Sequence, residues 1–285
     1  VSPDKSSDRS GNGLFNQSLE KGLAILLAFG PNARTMNLSE IAKATGISRS
    51  AAQRFTYTLE ALGYLQKHPV SKRYSLRVST LALGYRYLLV NQNVERANPF
   101  LLELNQTCGE TVNYSEPDRY EMVYVGRFPT RRRTPVHMPL GRRLPMYCTS
   151  AGRAYLACLD PAQRKQVLAA SERVAYTQTT VTDLDQLLYL CAEAAENGYA
   201  YANGEYYAGD INVSAAVFDG TGTPIGVVSI SAPETRWTLT DLRRQLAPLV
   251  METARLISTR EPTAADLEPF AIGSGKKAVR ADGST

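Results

Sequence analysis

The sequence predicts an α+β protein made of two folding units joined by a helix. Three observations predict it. Residues 17–76 read as helix, short helix, glycine turn, helix and hairpin. Residues 78–90 carry an apolar stripe. Beyond residue 98, short β-type runs alternate with amphipathic helical ones, the pattern of an antiparallel sheet with helices laid on it. The 285 residues suffice for two cores. A chain that is 44% hydrophobic and 21% charged has a globular composition. The longest purely apolar run of the first half, Leu23 to Phe29, falls far short of the ~20 residues a membrane helix needs. Val1–Gly13 is too polar for a secretory signal. A cytoplasmic protein without a membrane partner is therefore expected.

The first helix starts near Gln17, lines up Leu19, Leu23, Leu26 and Leu27, and stops at Gly30-Pro31. The second runs from about Ser39, its expected N-cap, to Thr45. Gly46 makes the turn, and Ser48 caps a third helix over Arg49–Leu62, with Ala52, Phe55, Leu59 and Leu62 inward. Gly63 ends it, and strands at Tyr64–Lys67 and Arg73–Leu76 flank a turn at Pro69–Lys72. This is the order of a winged helix-turn-helix. Charge agrees: residues 1–96 hold 13 Lys/Arg against 6 Asp/Glu, whereas residues 97–285 hold 19 against 21. A basic segment beside a near-neutral one points to a polyanion partner for the first. Arg49 and Gln53 lie one turn apart and offer bidentate hydrogen bonds to base edges, with Arg54 beside them. Ser48 and Ser50 at the helix start, and Lys72 and Arg73 at the hairpin, suit phosphates.

The stripe Val78, Leu81, Ala82, Tyr85, Leu88 and Leu89 needs a partner, and a second copy of the chain is the simplest. A helix then starts at Asn98-Pro99. Strands are expected at Thr111–Ser115, Glu121–Arg127, Tyr199–Asn203, Ile211–Asp219 and Pro224–Ser231, and helices at Ser150–Cys158, Pro161–Ala170, Asp183–Asn197 and Thr240–Thr259. Four scattered cysteines and only two histidines, His68 and His137, give no zinc spacing. There is no G-x-S-x-G elbow, P-loop or dinucleotide fingerprint, so neither a metal nor a cofactor is expected and no catalytic residue is nominated.

Several segments resemble the IclR family of bacterial transcription regulators. They are Gln17–Leu26, Leu38–Ala42, Thr45–Ile47, Leu59–Leu65, Gly141–Pro145, Cys148–Ala154, Gly198–Ala200, Ala216–Asp219 and Val228–Pro233, in the family's order over residues 17–258. Polar, small-residue-rich composition marks residues 1–13 as a flexible leader and 261–285 as a flexible tail. The resemblance implies a winged helix-turn-helix DNA-binding domain (14–77), a linker and dimerisation helix (78–97) and a GAF-like effector-binding domain with an antiparallel sheet (98–260). It also implies a homodimer or homotetramer on palindromic double-stranded operators, controlling catabolic operons in response to small carboxylic acids.

By the same resemblance, Leu144, Ser150, Ala151 and Val136 line the effector pocket, and Ser229 and Ser231 point hydroxyls at a ligand carboxylate. Thr149 and Ser150 open a helix whose free amides favour an anion. Relatives that sense small keto acids carry Asp and Cys where this chain places Ala202 and Asn212, which argues against a glyoxylate- or pyruvate-like effector. Arg133 stands where the family has an apolar residue and could grip a carboxylate, while Tyr114, Tyr147 and Tyr201 offer aromatic walls. The expectation is a regulator responding to an aromatic carboxylate. A regulator of a non-aromatic acid, a small-molecule enzyme with an accessory domain, and a non-DNA interaction module remain as alternatives.

Overall fold

The computed structural model describes residues 13–132 and 138–258. The leader up to Asn12, the tail from 259, and the candidate residues Arg133 and Val136 lie outside the described residues. The chain divides into two compact units with the boundary between Val90 and Asn91.

The first unit holds α1 (Gln17–Leu27), α2 (Leu38–Thr45), α3 (Arg49–Ala61), the hairpin β1 (Leu65–Lys67) and β2 (Tyr74–Leu76), and α4 (Leu81–Val90) behind a short 3-10 turn. Ile25, Ile41, Ala52, Leu59, Leu65 and Tyr74 form one core. The cap of α2 is Asn37, not Ser39. Its side-chain oxygen accepts from the Ser39 and Glu40 amides at 2.9 and 3.0 Å, and Glu40 accepts from the Asn37 amide at 2.8 Å. Glu three residues after the cap completes a reciprocal box that Ser39 could not form. Gly46 takes φ 69°, the left-handed turn that an L side chain resists. On α3, Thr56 rather than Leu62 shares the inward face with Ala52 and Leu59, its hydroxyl satisfied by the Ala52 carbonyl at 2.8 Å. Leu62 is the C-cap and is exposed. The stripe on α4 buries none of its residues within this unit.

The second unit opens with α5 (Gln92–Cys108), capped by Asn91, which begins well before the expected Asn98. Pro99 lies inside it. The apolar face Val94, Ala97, Leu101 and Leu104 runs through the proline without a break, and its burial outweighs one lost backbone hydrogen bond. Six antiparallel strands follow in the spatial order β5-β4-β3-β8-β7-β6. They are β3 (Thr111–Asp118), β4 (Glu121–Phe128), β5 (Arg143–Pro145), β6 (Ala200–Asn203), β7 (Asp210–Phe218) and β8 (Pro224–Pro233). β5 is too short to show alternation and exists through its pairing with β4, Met122 opposite Leu144. α6 (Ser150–Ala157) packs on β6, β7 and β8, with α7 (Pro161–Ala170) and α8 (Leu184–Asn197) behind it. α5 and the last helix, α10 (Ala247–Ile257), pack on β3, β7 and β8 and on each other. The expected single helix at Thr240–Thr259 is instead α9 (Leu239–Asp241), one π turn over Leu242–Leu246, and α10. Pro248 in the first turn of α10 has no N–H to give the preceding turn, and the wider turn absorbs that loss.

Candidate functional site: an exposed helix face and a two-chamber cleft

On α3, Ser48 accepts from the Ala51 amide at 3.2 Å and meets the Ser50 hydroxyl at 3.1 Å. Arg49, Ser50, Gln53 and Arg54 all face out, because Ala52, Thr56 and Leu59 hold the opposite side in the core. Tyr57, one turn beyond Gln53, extends this surface and was not singled out from the sequence. At the hairpin, Lys72 is exposed in the left-handed region at φ 56°. Arg73 is not free for phosphate as expected. Its guanidinium bonds both Glu40 oxygens, at 2.8 and 3.2 Å, and the Thr35 hydroxyl and carbonyl, bracing the hairpin on α2. The capping bond from the Asn37 amide, and after it the Arg73 guanidinium, hold the Glu40 carboxyl below its usual range.

In the second unit a cleft opens where α6 begins. Its first chamber brings together Leu144, Thr149, Ser150, Ala151, Asn212 and Ser229 from the expected set. Thr149 caps α6, accepting from the Gly152 amide at 3.2 Å and donating to the Pro145 carbonyl at 2.8 Å. Ser150, Ser214 and Ser229 form a hydroxyl chain with 2.7 and 2.8 Å links, tying the start of α6 to β7 and β8. The Ser231 hydroxyl donates to Asn212 at 2.7 Å and lines a second chamber that shares Met138, Tyr207 and Asp210 with the first. The first chamber has about 30 Å³ of water-accessible volume and the second about 290 Å³.

The aromatic wall is not the one expected. The Tyr147 hydroxyl is spent on the Val174 carbonyl, and Tyr201 lies by Arg153 and Glu193 with the Arg243 guanidinium 4.8 Å from its ring. Tyr114 is buried against Gly126 and Gly226. The tyrosines of the cleft are Tyr124, Tyr206 and Tyr207. Tyr206 and Tyr207 meet edge to face at 4.7 Å, and Arg142 donates to both hydroxyls. Their loop is held by a buried pair: Arg153 on α6 forks onto both carboxylate oxygens of Glu205. The Thr177 and Thr180 hydroxyls bond the Gly204 and Glu205 carbonyls at 2.7 and 2.6 Å. Tyr124 was hidden by a β-bulge between Tyr114 and Ser115, which aligns it with Ser115 while Arg127 pairs with Asn113. The sequence signal available for the other two is an aromatic pair bounded by Gly204 and Gly209 between two strands.

Charge in the cleft is mixed. Burial pushes the Asp210 carboxyl up to about 6, against the pull of Asn212 and Arg127. Burial also pushes the Cys148 thiol up to about 12, which makes it an inert wall residue rather than a nucleophile. The Glu110 carboxylate is buried, bonded by Arg236 at 2.5 and 3.1 Å and by the Trp237 indole at 3.0 Å. Among the described residues no group of three His, Cys, Asp or Glu side chains could hold a metal ion.

Residues 18–69 match the IclR helix-turn-helix domain, and residues 86–259 match the C-terminal domain of bacterial IclR transcriptional regulators. The chain belongs to the IclR family. It is 30% identical to the HTH-type transcriptional regulator KdgR of Escherichia coli (strain K12), over 85% of this chain and 92% of KdgR. A transcriptional regulator of Rhodococcus sp. RHA1 is similar in fold at a TM-score of 0.74 and 33% identity, covering 85% of this chain and 97% of that one. An IclR homologue of Microbacterium hydrocarbonoxydans, crystallised with 4-hydroxybenzoate, shares the fold at a TM-score of 0.71 and 21% identity, covering 86% and 98%. This IclR-family chain is thus a transcriptional regulator with a DNA-binding unit and an effector-type unit. No helix among the described residues is long and apolar enough to cross a membrane.

Proposed function

We propose that this protein is a cytoplasmic, ligand-responsive regulator of a catabolic operon, and that its effector is an aromatic carboxylic acid bound in the cleft of the second unit. The supporting observation is the wall of Tyr124, Tyr206, Tyr207, Met138 and Leu144 facing the polar start of α6. A ring stacks on such a wall while an acid group seeks the amides and hydroxyls opposite. That one protein of this fold takes 4-hydroxybenzoate is consistent with the reading. The small free volume of the first chamber favours a second reading, in which the effector is a compact non-aromatic acid. A thermal-shift screen decides between them: aromatic acids should raise the melting temperature more than aliphatic acids of equal charge, and the reverse order selects the second reading.

The effector acts only if it binds the DNA-competent and DNA-incompetent arrangements unequally. The DNA contact is assigned to Ser48, Arg49, Ser50, Gln53 and Arg54 on α3, with Lys72 at the hairpin. The apolar outer residues of α4, among them Leu81, Leu83, Tyr85 and Leu89, are assigned to a second copy in a homodimer or homotetramer bound to a palindromic duplex. Leu81→Glu with Leu89→Glu should shift sedimentation toward the monomer, and an unchanged assembly removes α4 from the interface.

A further inference from the structure

The hairpin of the first unit carries cations and no anion: residues 64–77 hold Lys67, Lys72, Arg73 and Arg77 without one Asp or Glu. Its base is fixed to the rest of the unit. Tyr74 and Met36 exchange both backbone bonds, at 2.7 and 3.0 Å, and Arg73 is spent on Glu40 and Thr35. The Lys67 ammonium lies over the Tyr74 ring, 5.4 Å from its centre. What projects from this base is the tip, residues 68–72, all of it exposed. The His68 amide donates to the Arg73 carbonyl at 2.8 Å, and the Lys72 amide donates to the His68 carbonyl at 3.0 Å. Lys72 is held in the left-handed region at φ 56°, which favours glycine.

The His68 ring completes the turn. Its Nδ1 accepts from the Val70 amide at 3.3 Å and from the Ser71 amide at 3.1 Å, standing where the side-chain oxygen of an Asn or Asp caps such a turn. These bonds also fix the chemistry of the ring. A backbone amide can only donate, so Nδ1 presents its lone pair and the ring proton sits on Nε2. A ring in this form is uncharged. Its Nε2–H lies across the ring from the turn amides, and among the described residues no group accepts from it. One locked tip thus offers two different donors, the Lys72 cation and a neutral N–H. Both suit the oxygens of a phosphodiester.

We infer that His68 is an uncharged phosphate contact of the DNA-binding unit: Nδ1 locks the turn, and the Nε2–H which that lock leaves protonated donates to a backbone oxygen of the duplex beside Lys72. This rests on the assignment of the hairpin to DNA. It goes beyond that assignment in naming a second contact with a different signature. A lysine that neutralises a phosphate releases counterions, so its loss flattens the salt dependence of binding. A neutral donor releases none, so its loss lowers affinity by the same factor at every salt concentration.

Fluorescence anisotropy of the full-length protein tests it, on duplexes of random, A·T-rich and G·C-rich sequence. The titrations run from about 50 to about 200 mM salt, at about pH 8, where free imidazole is uncharged. His68→Ser keeps an oxygen for the turn amides and loses the distal donor. It should weaken binding to all three duplexes by about tenfold, the size of a hydrogen bond to a charged group, with the salt slope unchanged. Lys72→Ala should instead reduce the slope by about one unit. Nitrogen-15 spectra of the imidazoles should show the Nε2-protonated form of His68 and a shift of that signal when duplex is added; His137 is the only other histidine. Wild-type affinity in His68→Ser beside a loss in His68→Ala would make the ring a turn cap alone and overturn the inference. So would a slope reduced by about one unit in His68→Ser, the mark of a cation, or a loss confined to the A·T-rich or the G·C-rich duplex, the mark of a base contact. A weakened Lys72→Ala beside an unaffected His68→Ser removes His68 and leaves the hairpin on the DNA. If neither variant is weakened, the hairpin assignment falls as well, and if wild type binds no duplex at low salt, the whole DNA surface falls with it.

Discussion

The outer face of α3 and the cleft of the second unit are both recognition surfaces, but they are built in opposite ways. The α3 face is what remains outside when Ala52, Thr56 and Leu59 are buried, so one helix supplies it. The cleft draws Tyr124 from β4, Ser229 from β8, Asn212 from β7, Ser150 from α6 and Tyr206 from a loop. The first can lose a side chain and keep its shape. The second depends on how separate elements are locked together.

The largest break in that comparison is expected at Gly152 on α6. A Cβ there would lie 2.1 Å from Met146 Cα and 2.2 Å from its carbonyl oxygen, so the helix must leave the sheet. Gly152→Ala should destabilise the second unit by about 4 kcal/mol or more and abolish effector binding, which chemical denaturation and calorimetry would detect. Next comes Glu205→Gln, which strands the buried Arg153 guanidinium and loosens the Tyr206–Tyr207 loop. A loss of about 3 kcal/mol is expected, and a variant as stable as wild type would show that the pair does not hold the loop.

Smaller effects belong to the helix face. Arg49→Ala and Gln53→Ala should each cost about 1–3 kcal/mol of discrimination between operator and random duplex with the melting temperature unchanged. Lys72→Ala should weaken all sequences alike and reduce the salt slope by about one unit. Equal losses on operator and random DNA for all three would take base reading away from α3.

The smallest effect concerns protons. The Asp210 carboxyl sits at about 6 in the folded protein against an ordinary value of 3.8. Between those values the folded state holds a proton that the unfolded chain has released. Stability therefore falls as pH rises through that window, and the cost is complete above it. Asp210→Asn removes the cost, so the variant should be more stable than wild type at pH 7.5, by about 1 kcal/mol after solvent screening of a partly exposed group, and no more stable below about pH 4. A gap that is independent of pH would refute this.

Local chemistry explains why so much of the DNA-binding unit was legible. Gly46, Ser48 and the spacing of Ala52 and Leu59 act within a few residues of where they stand, and the helix and its outward side chains follow from them. The cap of α2 was misplaced at Ser39, although Glu40, three residues after Asn37, is the local signal that marks Asn37. The role of Arg73 was not legible, because its partner Glu40 is 33 residues away.

In the second unit, strand alternation placed most of the sheet. It could not show that a bulge would turn Tyr124 toward the side chains of the cleft while Tyr114 stayed buried by the glycines. The sequence by itself determined the two units, the family, and the face of α3 that looks outward, because short-range periodicity and capping are written in neighbouring residues. Tertiary structure alone decided which tyrosines line the cleft, which arginines are spent on internal partners, and that Arg127 and Asp210 share one chamber. Those outcomes depend on strand register and on charge pairs between residues far apart in the chain, and no local pattern encodes either.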